Sequence, residues 1–233
     1  MQIQTNIFNI KQQFEEITDL IEDDLVMGIS NILEHLRQFD SPENRQNRRR
    51  SDQNALPNNL SGLVDQCIQF MELLALNVKA DDAEQARQIE LLSFPLALWL
   101  MQYGGELRTL TPVVNAIAYY SNQNSHVQAL ERLYYMVNDI LEGIAPRALE
   151  DRYSENQKAW HVLLLNHGII ATRTHNPTLI ERAYQNLADK IPEDAPNFFA
   201  QGMAQMVRIN YPEQVKSIVQ KFYTQWHQTK ILH

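Results

Sequence analysis

The stretch YQNLADKIPEDAPNFFAQG, residues 184–202, joins two segments in which apolar residues recur at helical spacing. The first segment ends before Pro192, and the second contains Gly202, which follows Gly168 by 34 positions. Proline ends a helix, and a small residue lets a neighbouring helix approach closely. The stretch therefore predicts a junction between two helical hairpins.

The composition of the whole chain agrees with a helical protein. The 233 residues are 44% apolar and 21% charged, which is typical of a globular protein with a packed core. Only 7 Gly and 9 Pro are present, so few residues favour the tight turns that strands need. We therefore predict an all-α fold.

Apolar positions at intervals of three and four predict about ten helices. Their limits follow from capping residues, glycines and prolines. The predicted helices cover residues 5–22, 25–39, 60–78, 82–103, 106–121, 124–143, 155–174, 177–191, 195–209 and 212–230. Because most connections are short, neighbouring helices are expected to form antiparallel hairpins.

Two longer connections divide the pattern. Residues 40–59, DSPENRQNRRRSDQNALPNN, form an Arg-rich loop without apolar periodicity, and residues 143–156 form a second break. The segment 155–233 holds eight Lys and Arg against six Asp and Glu, whereas the chain as a whole has a net charge of −8. We predict an acidic helical part at 1–150 and helical hairpins at 151–233, which form either two domains or one continuous domain.

The 34-residue spacing has a further interpretation. In residues 161–194, apolar or small residues stand at Leu164, Gly168 and Leu187, an aromatic at Tyr184 and a closing proline at Pro192. This segment resembles a tetratricopeptide repeat, and the resemblance extends to about residue 210. It implies an α-α superhelix of stacked hairpins with a concave binding face. An irregular helical bundle is the alternative fold.

Charged residues suggest two surfaces for a partner. The first is acidic and includes Asp19 and Asp23, which are four positions apart and share a face if they lie on one helix. The second is a cluster of cations in the loop at 40–59. Its members are Arg45, Arg48, Arg49 and Arg50. Arginine clusters bind phosphates or acidic protein surfaces.

Two further residues are candidates for partner binding. His167 stands beside Gly168 and is expected either to line a groove or to lie in the core. Phe199 belongs to one of several pairs of adjacent aromatics, in which one ring points inward and the other outward. No motif for catalysis, a metal or a cofactor is recognisable, so we predict no catalytic residue, metal or cofactor.

The sequence also bears on location. The N-terminal residues lack the basic start and apolar run of a signal peptide, and no apolar segment is long enough to span a bilayer. The single cysteine, Cys67, excludes an intrachain disulfide. These features predict a soluble, cytoplasmic protein without membrane contact. The acidic net charge disfavours nucleic acid as a partner.

The first functional prediction is a protein-interaction or scaffold protein that binds a partner, or another copy of itself, through a helical groove. The alternative is an enzyme or small-ligand-binding protein with a pocket between helices. A second alternative is a nucleic-acid-associated scaffold that uses the Arg-rich loop. Since no catalytic motif is present, a non-enzymatic role is favoured.

Overall fold

A computed structural model describes residue 3, residues 5–40 and residues 59–229. Within this part of the chain the regular structure is helical, which confirms the all-α class; outside the helices, Leu107 and Ile144 form an isolated parallel bridge. The α-helices are α1 (Ile7–Thr18), α2 (Asp24–Phe39), α3 (Leu60–Val78), α4 (Ala83–Leu91), α5 (Ser93–Gln102), α6 (Thr111–Gln123), α7 (Val127–Glu142), α8 (Glu155–Arg173), α9 (Pro177–Lys190), α10 (Ala195–Arg208) and α11 (Glu213–Thr229), and a 3-10 helix covers Pro146–Leu149.

Several helices begin at an Asn or Asp whose side chain accepts hydrogen bonds from the first-turn amides. Asp23 caps α2, Asp82 caps α4 and Asn176 caps α9. Such caps satisfy amides that have no partner within the helix. These caps fix the starts of the three helices close to the predicted positions.

The predicted helix at 82–103 is two consecutive helices, α4 and α5. The break between the two helices at Leu92 is caused by Pro95, three residues later. Proline has no N–H to donate to the carbonyl of Leu91, and its ring crowds that carbonyl. The first helix therefore ends at Leu91, and Pro95 lies in the first turn of the second.

Helix α5 ends in a Schellman motif. The amide of Gly104 donates to the carbonyl of Met101, and the amide of Gly105 donates to the carbonyl of Leu100. Gly104 has a φ of 67°, a left-handed conformation that favours glycine. The Gly-Gly pair thus ends the helix as the sequence predicts.

The described chain divides into two compact units. Among the described residues, the first unit comprises those up to 119 and those at 139–159, and the second comprises those at 120–138 and from 160 onward. Helices α6, α7 and α8 contribute residues to both units. The predicted domain boundary near residue 150 stays a prediction.

In the first unit, α1 packs on α2, α4 and α5, and α3 packs on α2, α4 and α5. Helix α5 is buried almost all round, which explains its continuous apolar sequence. Its fully buried side chains include Phe94, Leu96, Trp99 and Leu100. This helix is the centre of the first core.

A buried carboxylate fixes the loop between α5 and α6. Oδ1 of Asp65, on α3, accepts the amides of Arg108 and Thr109 at 3.0 and 3.1 Å. The Asn156 side chain accepts the amide of Leu110 and donates to the carbonyl of Arg108. These bonds satisfy the polar backbone of a part-buried loop.

In the second unit, α10 and α11 pack together and α9 packs on α11. The side chain of His161, on α8, lies 2.8 Å from Oδ2 of Asp194, just before α10. Within the described residues, no helix has both the length and the apolar character required to cross a membrane. The tetratricopeptide-like superhelix stays a prediction.

Candidate binding groove

Four aromatic rings form the centre of the second unit. Tyr184, Phe199 and Phe222 are almost fully buried, and their ring centroids lie 5.1 to 5.3 Å apart. Phe198 contacts this cluster with its centroid 5.5 Å from that of Tyr184, but it is only half-buried. Of the two adjacent phenylalanines, Phe199 belongs to the core and Phe198 reaches the surface.

Two glycines make room for these helices. A Cβ placed on Gly168, in α8, would lie 2.7 Å from Cζ of Phe198, in α10. A Cβ on Gly202 would lie 3.3 Å from a methyl carbon of Val219, in α11. The first contact is shorter than side chains tolerate, so glycine is what lets Phe198 lie against α8.

A groove runs along the surface beside Phe198. Its volume is about 240 Å³, and α8, α9, α10 and the residue Tyr211 provide its walls. Its lining residues are Ile169, Thr172, Arg173, Tyr184, Phe198, Gln201, Gly202, Gln205, Met206 and Tyr211. Ile169 is 45% exposed at the rim, opposite the exposed Gln201 and Gln205. The groove is therefore open to solvent along an apolar wall.

Two hydroxyl groups form the floor of the groove. The Thr172 hydroxyl donates to the carbonyl of Gly168, and the hydroxyl oxygens of Thr172 and Tyr184 are 2.7 Å apart. Burial raises the pKa of Tyr184 to about 12, so this hydroxyl stays neutral near pH 7. The floor is polar but carries no charge.

Arg173 supplies the charge in the groove lining. Its guanidinium group donates to the carbonyl and hydroxyl of Ser121 and to the carbonyl of Asn124. No described carboxylate forms an ion pair with it, and a guanidinium has more N–H donors than these three bonds use. Arg173 is thus held in place by neutral oxygens, and no described carboxylate nearby balances its positive charge.

The residues that line the groove include no carboxylate. Residues 160–173 of α8 and residues 195–208 of α10 include no Asp or Glu, and each segment ends in an arginine. The full chain has a net charge of −8, so these segments differ in charge from the rest of the molecule. A negatively charged ligand meets no like charge on either wall.

His167, a residue of α8, points into the core of the second unit. It is 2% exposed, and its ring stacks on that of Tyr134 at 4.3 Å between centroids. Neither ring nitrogen makes a hydrogen bond within the described residues. Burial lowers the pKa of His167 to about 4; a backbone group of Tyr134 opposes this in part, although its geometry falls short of a hydrogen bond. His167 is therefore a neutral core residue at pH 7.

The structure places the acidic candidates at the ends of two different helices. Helix α1 ends at Thr18, so Asp19 lies in the following turn, whereas Asp23 caps α2 by accepting the amide of Leu25. The two residues therefore share no helix face, because the chain turns between them, and their role in partner binding stays a prediction. Arg45, Arg48, Arg49 and Arg50 lie outside the described residues.

The candidate Phe199 is corrected in a similar way. It is 1% exposed and is enclosed by Tyr184, Phe198 and Phe222, so no partner reaches it from the surface of this structure. The outward ring of the pair is Phe198. The sequence pattern established that the two rings point in different directions but not which of them faces the core.

Most groove residues were not singled out by the sequence. Ile169, Thr172 and Gln205 lie in ordinary helical patterns, with no motif to distinguish them. Two signals were nevertheless available, namely the spacing of Gly168 and Gly202 and the absence of carboxylates in 160–173 and 195–208. In the described part of the chain, no group of three or more His, Cys, Asp or Glu side chains is arranged to hold a metal ion.

Comparisons of this chain with models of protein families, with curated proteins and with solved structures found no match.

Proposed function

We propose that this protein binds a short segment of another polypeptide in the groove between α8 and α10. The bound segment inserts an apolar side chain between Ile169 and Phe198 and carries carboxylates beside it. The observation that carries the proposal is the open apolar groove whose walls lack carboxylates and whose lining includes Arg173.

The volume of the groove suits a side chain better than a whole small molecule. Pockets that enclose drug-sized ligands measure roughly 300–1,000 Å³, whereas this groove measures about 240 Å³ and is open at its rim. A cavity of about 150 Å³ already holds a molecule the size of benzene. A leucine or phenylalanine side chain therefore fits, with its backbone lying across the rim.

The charge of the groove lining determines which residues should flank the inserted side chain in the bound peptide. Carboxylates close to the inserted side chain face Arg173 without meeting Asp or Glu on either wall. Exposed Gln201 and Gln205 add donors and acceptors for peptide backbone along one rim. Binding of this kind draws affinity from the apolar insertion and selectivity from charge.

The test uses the full chain and two synthetic peptide pools. Both pools have a central leucine, flanked by Asp and Glu in one pool and by Lys in the other. We expect the acidic pool to be retained and the basic pool to be released. Equal retention of the two pools would contradict the charge argument.

Matched variants on α8 locate the site. Ile169 and Val162 are both 45% exposed, but only Ile169 lines the groove. Ile169→Asp removes an apolar contact and adds a like charge, so retention of the acidic pool should fall at least about tenfold, a loss of about 1.4 kcal/mol. Val162→Asp should leave retention unchanged. Loss in both variants, or in neither, would refute the groove as the site.

The same variants test the alternative of a small-ligand pocket. Suppose that neither peptide pool binds, that a small molecule from a panel raises the melting temperature, and that Ile169→Asp abolishes this rise. This result would favour the small-ligand pocket.

A further inference from the structure

The turn between α1 and α2 presents an apolar side chain to solvent. Leu20 is 90% exposed, the highest value among the large apolar side chains of the described residues. The turn is ordered by hydrogen bonds, because Ile21 donates its amide to the carbonyl of Thr18 and Asp23 caps α2. Leu20 is therefore held outward by a defined backbone.

Carboxylates surround this leucine. Asp19 precedes it, and Glu22, Asp23 and Asp24 follow within four positions. In the described part of the chain none of these carboxylates pairs with a Lys, Arg or His side chain. The turn thus combines a protruding aliphatic side chain with negative charge that no near cation balances. Negative charge is what the lining of the groove lacks.

We propose that the groove binds this turn of a second copy of the chain. Leu20 of one copy inserts between Ile169 and Phe198 of the other, and the neighbouring carboxylates face Arg173. This inference rests on the proposed function and names the polypeptide that supplies the bound segment. The arguments for it are charge complementarity and the fit of one leucine side chain to a groove of about 240 Å³.

The contact has a consequence for assembly. It joins two different surfaces, so it is heterologous. Such a contact either closes into a ring, of which two copies bound reciprocally are the smallest, or continues as an open chain. A single inserted turn buries far less than the roughly 1,200 Å² of a stable interface, so association is expected to be weak and to decrease with salt.

Sedimentation of the full chain at concentrations up to about 1 mM, the range of weak association, tests this inference. We expect the average mass to rise with concentration above that of a monomer. Leu20→Ser and Ile169→Asp should each stay monomeric. Tyr153→Ser is the control, because Tyr153 is 88% exposed but lies outside both surfaces.

Mixing the two monomeric variants gives the sharpest result. The Leu20→Ser chain keeps its groove and the Ile169→Asp chain keeps its turn, so together they should form one-to-one dimers and nothing larger. A monomeric wild-type chain, continued association of Leu20→Ser, or a mixture that stays monomeric would overturn the inference. Unfolding curves of each variant check that the fold is intact.

A peptide of residues 15–26, EEITDLIEDDLV, separates this inference from the proposed function. It should bind the full chain, and the same peptide carrying Leu20→Ser should not. If this peptide fails while the acidic pool binds at Ile169, the groove has another partner and only the second-copy inference falls. If neither binds, the proposed function falls as well.

Discussion

Among the described residues, the first unit buries one carboxylate, Asp65, and the second buries one histidine, His167, and their hydrogen bonding differs. Asp65 of the first unit is 5% exposed and accepts two backbone amides through Oδ1. His167 of the second unit is 2% exposed and makes no hydrogen bond through its ring nitrogens. The first side chain holds a loop, whereas the second fills space against an aromatic ring.

The difference shows what each unit is sensitive to. Burial raises the pKa of Asp65, and the amides of Arg108 and Thr109 act against that rise. Removing this acceptor leaves buried donors without partners. His167 has no bond to lose, but a proton on its ring would place an unpaired charge in the core. The first unit should therefore respond to mutation of its buried group and the second to pH.

The largest expected effect comes from Asp65→Ala. Two amides lose their acceptor, and each unsatisfied donor costs about 1–3 kcal/mol, so the free energy of unfolding should fall by about 3 kcal/mol. Asp65→Asn keeps a carbonyl oxygen for both amides but loses the ion pair of Oδ2 with Arg108 at 3.6 Å, so its loss should be smaller, about 1 kcal/mol. Urea unfolding of both variants measures the effect. Equal losses would show that the loop does not depend on the acceptor.

The second effect concerns pH and His167. The folded pKa of about 4 lies below the usual 6.5, so the unfolded chain binds the proton first as pH falls. The stability contributed by the neutral ring is complete above pH 6.5 and decreases below it, by about 2 kcal/mol at pH 5. His167→Phe keeps a ring against Tyr134 and should remove this part of the pH dependence. Urea unfolding at pH 7.5 and pH 5 tests the difference between the two proteins.

The smallest effect compares one helical glycine from each unit. Gly168→Ala in the second unit forces the ring of Phe198 to shift, and strain should cancel the gain of about 1 kcal/mol from helix propensity. Gly28→Ala in the first unit meets Phe70 at an ordinary 3.5 Å and should show that gain. Thermal unfolding measures both. Retention of the acidic peptides should decrease for Gly168→Ala but not for Gly28→Ala. Unchanged retention in both variants would mean that the Phe198 ring shifts without altering the groove.

Much of the fold follows from local signals. Gly104 predicts the end of α5 because only glycine adopts its left-handed backbone without strain, and Asn176 with Pro177 predicts the start of α9. The break at Leu92 was missed, although Pro95 carries the reason. A proline in the first turn of one helix and a proline that interrupts a longer helix look alike in an apolar run.

The site was less accessible to sequence reasoning, because it depends on which face of a helix is covered. Asp19 and Asp23 would share a face only on one helix, but Asp23 caps a new helix, α2. Phe198 and Phe199 have the same chemistry, and what distinguishes them is that Phe199 packs on Phe222 whereas Phe198 lies against Gly168. Such choices depend on contacts between distant segments.

The two hydroxyls on the groove floor have a defined order of hydrogen-bond donors and acceptors. The single hydrogen of Thr172 is directed to the carbonyl of Gly168, so Tyr184 gives its own hydrogen to Thr172. The Tyr184 oxygen is left with lone pairs and no hydrogen to offer. A peptide bound as proposed would therefore meet an acceptor at the floor and a cation at Arg173, so its N–H groups and its carboxylates would have separate places.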